Sequence, residues 1–136
     1  MRFLGKFSVS IFLLITFSTL AIAALPGVHV LFDAEKTAKT GKAIQFDKGS
    51  NYRTVQIVLG GVSSASAVAT LQGSLDGSNW VTLTTFTVAS SPAASATQVA
   101  SITTPYPAMR GVISEIYSAS GAAAASASSV TMMIAE

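Results

Sequence analysis

Apolar and polar positions alternate in short runs along most of this chain. In one stretch Ala67, Ala69, Leu71, Gly73 and Leu75 fall on one side of an extended backbone, with Val68, Thr70, Gln72 and Ser74 on the other. A period of two marks a strand with one buried face. Asp76-Gly77 follows, and then Trp80-Val81-Thr82-Leu83. Asp-Gly between apolar runs predicts a two-residue type I′ turn, because both central residues of that turn need a positive φ. Trp80, just past the turn, is placed where a large ring can close one end of a core. Asp76, Gly77 and Trp80 are therefore the residues on which this hairpin is expected to depend, Asp76 by shaping the turn through its side chain rather than by binding a ligand.

The same pattern recurs on both sides. Val28 to Phe32 reads as a first strand or as the end of an apolar anchor, and Asp33 to Lys42 as a polar loop. Ala43 to Phe46 is a short strand, and Asp47 to Asn51 a turn. From Arg53 to Leu59, Val55, Ile57 and Leu59 oppose Thr54, Gln56 and Val58, and Gly60-Gly61 ends the run. After the hairpin, Val81 and Leu83 share one parity while Phe86 and Val88 share the other. A strand changes faces through an extra residue, so a β-bulge is expected near Thr84-Thr85. Pro92 marks a loop. Thr97 to Thr103 is a strand with Val99 inward. Tyr106 between Pro105 and Pro107 fits a loop or an edge entry. Met109, Gly111 and Ile113 then oppose Arg110, Val112 and Ser114, and Val130, Met132 and Ile134 form a closing strand. Between them, the Ala/Ser-rich run from Ser118 to Ser126 reads as a long hairpin loop rather than a silk-like or helical piece. About eight short strands at regular spacing, with no convincing helix among them, predict an all-β fold: an antiparallel β-sandwich, jelly-roll-like, preceded by an N-terminal hydrophobic helix that is a signal peptide or an anchor. The expected division is a leader over 1–23, an N-terminal linker over 24–42 and the sandwich over 43–136. No internal repeat is present.

The leader changes the picture of charge. Arg2 and Lys6 precede an uncharged apolar run from Phe7 to Leu20. Ala21-Ile22-Ala23 then offers a signal-peptidase pattern ahead of the helix-breaking Pro26-Gly27. Cleavage after Ala23 and a secreted, extracytoplasmic location follow as the expectation. The rival is an uncleaved membrane anchor, since the uncharged run to Leu25 is about the length that spans a bilayer. A pilin-like start, with processing near Gly5-Lys6, lacks the early glutamate it needs. The whole chain has 8 basic and 6 acidic residues, for a formal net charge of +2. Two of the basic residues lie in the leader and none of the acidic ones do, so the remainder balances. A nucleic-acid partner wants a basic stripe. Here Lys36, Lys39, Lys42 and Lys48 are interspersed with Asp33, Glu35 and Asp47, a mixed solvated segment. The chain has no cysteine, so an exported form gains nothing from disulfides. A neutral surface rich in Ser, Thr and Ala favours association.

Gly73-Ser74-Leu75-Asp76-Gly77, followed by Asn79-Trp80 and Leu83, resembles the central hairpin of small β-sandwich proteins encoded in tailed-phage structural gene sets. The closing half is similar as well: Tyr106 to Arg110, the strand to Tyr117, Ser120-Gly121, and Val130-Thr131-Met132. The likeness covers roughly residues 41 to 134. It implies a sandwich that builds or decorates a virion. The leader and the stretched Ala/Ser loop depart from it. The same hairpin more weakly resembles discoidin-type, galactose-binding-like domains, which implies glycan or surface binding through loop side chains. This chain offers Tyr52, Arg53 and Tyr106 for that role.

Catalytic chemistry finds little support. His29 is the single histidine and follows the leader in an apolar run. No Gly-x-Ser-x-Gly elbow accompanies the serines. One His and no Cys leave no ordinary zinc site. Asp33, Glu35 and Asp47 lack a calcium-loop spacing. Arg110 is expected to pair with Glu115. Neither Asn51 nor Asn79 begins a glycosylation triplet. No enzyme, cofactor or metal is expected. The expected function is an exported structural protein that self-assembles as a homo-oligomer or surface lattice, virion-coat-like or filament-like. Val58, Val68, Arg110, Val112 and Met133 are its candidate interface residues. The alternative is a secreted glycan- or surface-binding module. Any membrane contact would run through the N-terminal segment alone.

Overall fold

In the computed structural model, residues 27–47, 52–61, 65–90, 95–117 and 128–136 are described. The leader, its cleavage site and the Ala/Ser run 118–126 lie outside the described residues. Among the described residues nine strands form in chain order: β1 (Val28–Glu35), β2 (Lys39–Thr40), β3 (Ile44–Gln45), β4 (Arg53–Gly60), β5 (Ala65–Ser74), β6 (Val81–Ser90), β7 (Ser95–Ile102), β8 (Ala108–Tyr117) and β9 (Ser129–Ala135). No described residue is helical, and among the described residues no helix is long and apolar enough to cross a membrane.

Alternation becomes burial wherever it is regular. Val55, Ile57 and Leu59 of β4 and Val130, Met132 and Ile134 of β9 are fully buried. So are Ala67, Ala69 and Leu71 of β5, with Met109 and Ile113 of β8. These residues face one another across two antiparallel sheets. Sheet A has the order β1-β9-β4-β7. Sheet B has the order β2-β8-β5-β6, with β3 also on β8. The core fills the space between them, giving a β-sandwich. Each fully buried aliphatic side chain contributes roughly 1.5–3 kcal/mol.

The region expected to precede the domain is part of it. β1 runs to Glu35 rather than ending at Phe32, and it pairs along β9. Leu31 and Phe32 are consecutive yet both buried. The register shifts between Val30 and Phe32 and again before Glu35, and these bulges let neighbouring residues point the same way. That loss of period is why the segment reads as irregular. Ala34, with φ 49°, sits in the second bulge and donates its N–H to Thr131 Oγ1. Residues 39–40 and 44–45, with Gly41 N–H donating to the Gly111 carbonyl between them, make an interrupted edge along β8. Phe32 crosses from sheet A to lie against Gly111 of sheet B. A Cβ at Gly111 would stand 2.5 Å from Phe32 Cε2.

Two further bulges shape sheet B. Gln72 pairs with Thr82 and Leu71 with Thr84, leaving Leu83 as the extra residue of β6. The parity change at Phe86 and Val88 placed this bulge within one residue. The second was not anticipated: Val68 pairs with Glu115 and Ala69 with Ile113, so Ser114 is extra and Ile116 turns inward. On β7 the inward positions belong to Ala96, Ala100 and Ile102, while Val99 is 61% exposed. The expectation of an inward Val99 is overturned because the residues filling that side are small. At the same edge, Gln98 Nε2 donates to the Thr87 carbonyl of β6 and links the two sheets.

Candidate functional site

Phe46 just after β3, Arg53 at the start of β4 and the β5–β6 and β7–β8 loops meet at one end of the sandwich, and chemistry-bearing side chains gather there. The β5–β6 connection is not a two-residue turn. β5 stops at Ser74 and β6 starts at Val81, so residues 75–80 form the loop. Gly77 has φ 74° and Asp76 does not share the positive φ that a type I′ turn needs. The Asp76 side chain organises the loop instead. Its Oδ1 accepts from Ser78 N–H and Asn79 N–H, both at 2.8 Å, and from Ser74 Oγ at 2.9 Å. Its Oδ2 accepts from Asn79 Nδ2 at 2.6 Å. Ser74 Oγ in turn accepts from Gly77 N–H. These donors, Asn79 and Ser78 N–H foremost, hold the Asp76 carboxyl well below the usual carboxylate range. A carboxylate so engaged is a poor proton acceptor at neutral pH.

The loop also turns Leu75 outward. Leu75 was expected on the buried face of β5 and is 75% exposed. Trp80 does not close the core. Its ring lies under the Arg110 guanidinium at 4.1 Å, on the outer side of sheet B. Arg110 Nε donates to Gln72 Oε1 at 2.9 Å, across the β5–β8 register. The expected Arg110–Glu115 pair does not form: with Ser114 extra, the two residues stand in register positions opposite Gln72 and Val68. Glu115 lies instead beside Tyr117, whose phenol it pushes up.

Behind the loop, Tyr106 packs over Gly73, where a Cβ would stand 2.6 Å from the Tyr106 ring. Leu75, Asp76, Asn79, Val81 and Tyr106 line an open cleft of about 210 Å³. Arg53, a candidate for ligand contact by its position at a strand start, is 5% exposed. Its guanidinium sits 4.2 Å over the Phe46 ring, and Nη1 donates to the Tyr106 carbonyl at 3.3 Å. It ties the β3–β4 and β7–β8 loops to the core and is not presented to solvent. His29 meets Phe46 edge-on, with Nε2 3.7 Å from Glu136 Oε1. Tyr52 is 73% exposed. At the opposite end, a second opening of about 310 Å³ lies between residues 36–38 and 114–117.

Among the described residues no group of three or more His, Asp or Glu side chains comes together. Asp33, Glu35 and Asp47 are not gathered around a common point; Glu35 accepts from Lys39 Nζ at 2.7 Å. The five candidate interface residues are all partly exposed, and the structure sorts them by sheet. Val58 and Met133 lie on the outer face of sheet A, and Val68, Arg110 and Val112 on that of sheet B. The Trp80–Arg110 stack was missed from sequence, whereas a turn shaped by the Asp76 side chain was expected, Ser-x-Asp-x-Ser-Asn being a run in which side chains take up backbone N–H groups; the individual donors were not foreseen. Compared with family models, with curated proteins and with solved structures, the chain matches none of them.

Proposed function

We propose that this domain is a non-enzymatic, exported structural subunit that assembles with copies of itself, as a coat-like or filament-like jelly roll. The strand orders support the finer fold. With β2 and β3 counted as one interrupted edge strand, every remaining connection but the β5–β6 hairpin crosses between the sheets, the winding of a double-sheet jelly roll. The observation that carries the functional reading is the placement of apolar residues outside a core that is already filled. Val58 and Met133 on one sheet, and Val68 and Val112 on the other, lie on outer faces, joined by Val30 at 46% and Val99 at 61% exposure. Apolar residues recurring on both outer faces suit contact with neighbours. The resemblance to small sandwich proteins of phage structural gene sets agrees with this reading.

The second reading, a glycan-binding module, draws on the cleft beside Tyr106. There an aromatic ring and the exposed Leu75 and Val81 sit next to the polar Asp76 and Asn79, the mixture that a sugar ring with one apolar face and a rim of hydroxyls requires. Light scattering across a concentration series, followed by electron microscopy, separates the two. Growth in mass with concentration supports the structural subunit. A strict monomer retained on a glycan array overturns it and promotes the binding module.

A further inference from the structure

We propose that the outer face of sheet A is the surface on which a second copy of this chain docks, in a two-fold, sheet-on-sheet contact. The inference rests on the self-assembly reading and selects between the two faces that reading leaves open. The strand registers lay out the face in rows. Val30, Met133, Gln56 and Val99 form one row across all four strands. Val28, Ala135, Thr54 and Ser101 form the next. Thr131, Val58 and Thr97 follow, then Ser129, Gly60 and Ser95. None of these positions carries a charge. Asp33, exposed in the bulge of β1, is the charge at the rim.

An antiparallel sheet that faces water normally presents polar and charged side chains there. Sheet B does so: Arg110, stacked on Trp80 and bonded to Gln72, and Glu115, beside Tyr117, interrupt its outer surface. Packing sheet B against another copy would bury those groups. The rows of sheet A bury no charged group, only the Gln56 amide and Ser and Thr hydroxyls that can hydrogen-bond across a contact, and like charges do not meet when it faces itself.

The size fits. Four strands spaced about 4.8 Å apart, with about 3.3 Å per residue, cover roughly 500 Å² over the eight residues of β4. Two copies then bury at least about 1,000 Å², the lower bound for a specific interface. Small and β-branched residues keep the face low, so that two sheets can approach to about 10 Å. A two-fold axis brings the same patch of each copy together, the self-complementary arrangement of most homodimers.

The cysteine-free sequence supplies a direct test. The full chain is expressed with its leader and purified after export, as wild type and with one cysteine introduced, Gln56→Cys in the middle of the sheet A face or Thr70→Cys in the middle of sheet B. Gln56→Cys is expected to form a disulfide-linked dimer under mild oxidation at least tenfold faster than Thr70→Cys. In parallel, sedimentation velocity of Val99→Lys is expected to show dissociation at protein concentrations where Val68→Lys remains dimeric. Val99 is exposed, so its replacement leaves the core intact and reports on association alone. Preferential linking of Thr70→Cys, or loss of the dimer in Val68→Lys but not Val99→Lys, overturns the sheet A assignment and leaves self-assembly standing. A wild-type monomer at every concentration overturns both.

Discussion

Asp76 shows how one side chain can replace a turn geometry. Asp-Gly promises a backbone-defined hairpin, yet the carboxylate gathers donors from Ser74, Ser78 and Asn79 and spreads the connection over residues 75–80. Because those donors hold its pKa below the unfolded value, ionised Asp76 stabilises the fold at pH above the ordinary Asp range, near about 3.9. The contribution is lost as pH falls below that range toward the lowered folded value. The melting temperatures of wild type and Asp76→Asn are therefore expected to differ at pH 6 and to converge as the pH is taken down toward 2. A constant gap across the series would remove the carboxylate as its source. Gly77 has a different role. A Cβ there meets nothing within 4 Å, so replacement costs backbone strain alone. At φ 74° that is at least about 1–2 kcal/mol for a β-branched residue. Gly77→Val should lower the melting temperature by several degrees, while Gly77→Asn should stay near wild type because Asn tolerates the left-handed region. Equal melting curves for the two variants would contradict this account.

Among the strands, what was legible from sequence depended on whether apolar periodicity and side-chain volume agreed. β4, β5, β8 and β9 keep a period of two over most of their length, and their buried faces were readable from Val55, Ile57, Leu71, Met109 and Met132. The parity change in β6 gave away its bulge. In β7 the inward face was misassigned because Val99, in the middle of the run, points outward while Ala96, Ala100 and the terminal Ile102 face the core. β1, read as a strand only as far as Phe32, runs on to Glu35, because Leu31 and Phe32 are buried side by side and its bulges break the period. At the candidate site, Asp76, Gly77, Trp80 and Arg110 were singled out from sequence. Their partners were not, since the Trp80–Arg110 stack depends on the β5–β8 register and on the length of a loop. Phe32 and Gly111 tie the two sheets together at short range. Gly111→Val should destabilise by about 1–3 kcal/mol through overpacking, measured by denaturant unfolding. Adding Phe32→Leu should recover part of that loss, and strictly additive effects would show that the two sites do not touch.

For the whole molecule, the charge balance that favours association holds once Arg2 and Lys6 are gone. The leader is expected to be removed after Ala23, and the intact mass of the exported protein will report it; a mass retaining residues 1–23 would favour the anchor. If the leader directs export, the winding of the sheets carries a consequence for that journey. β9 lies between β1 and β4, supplying partners to both. In the contact between Ala34 and Thr131, β1 meets a residue 97 positions later in the chain. A polypeptide threaded N-terminus first through a secretion channel therefore presents β1 to the far side long before its neighbour emerges. Sheet A cannot close while the C-terminal strand is still in transit. Until the last strand is delivered β1 alone has no partner and stays an edge open to other chains, while β4 can already pair with β7, and β5 with β6 and β8.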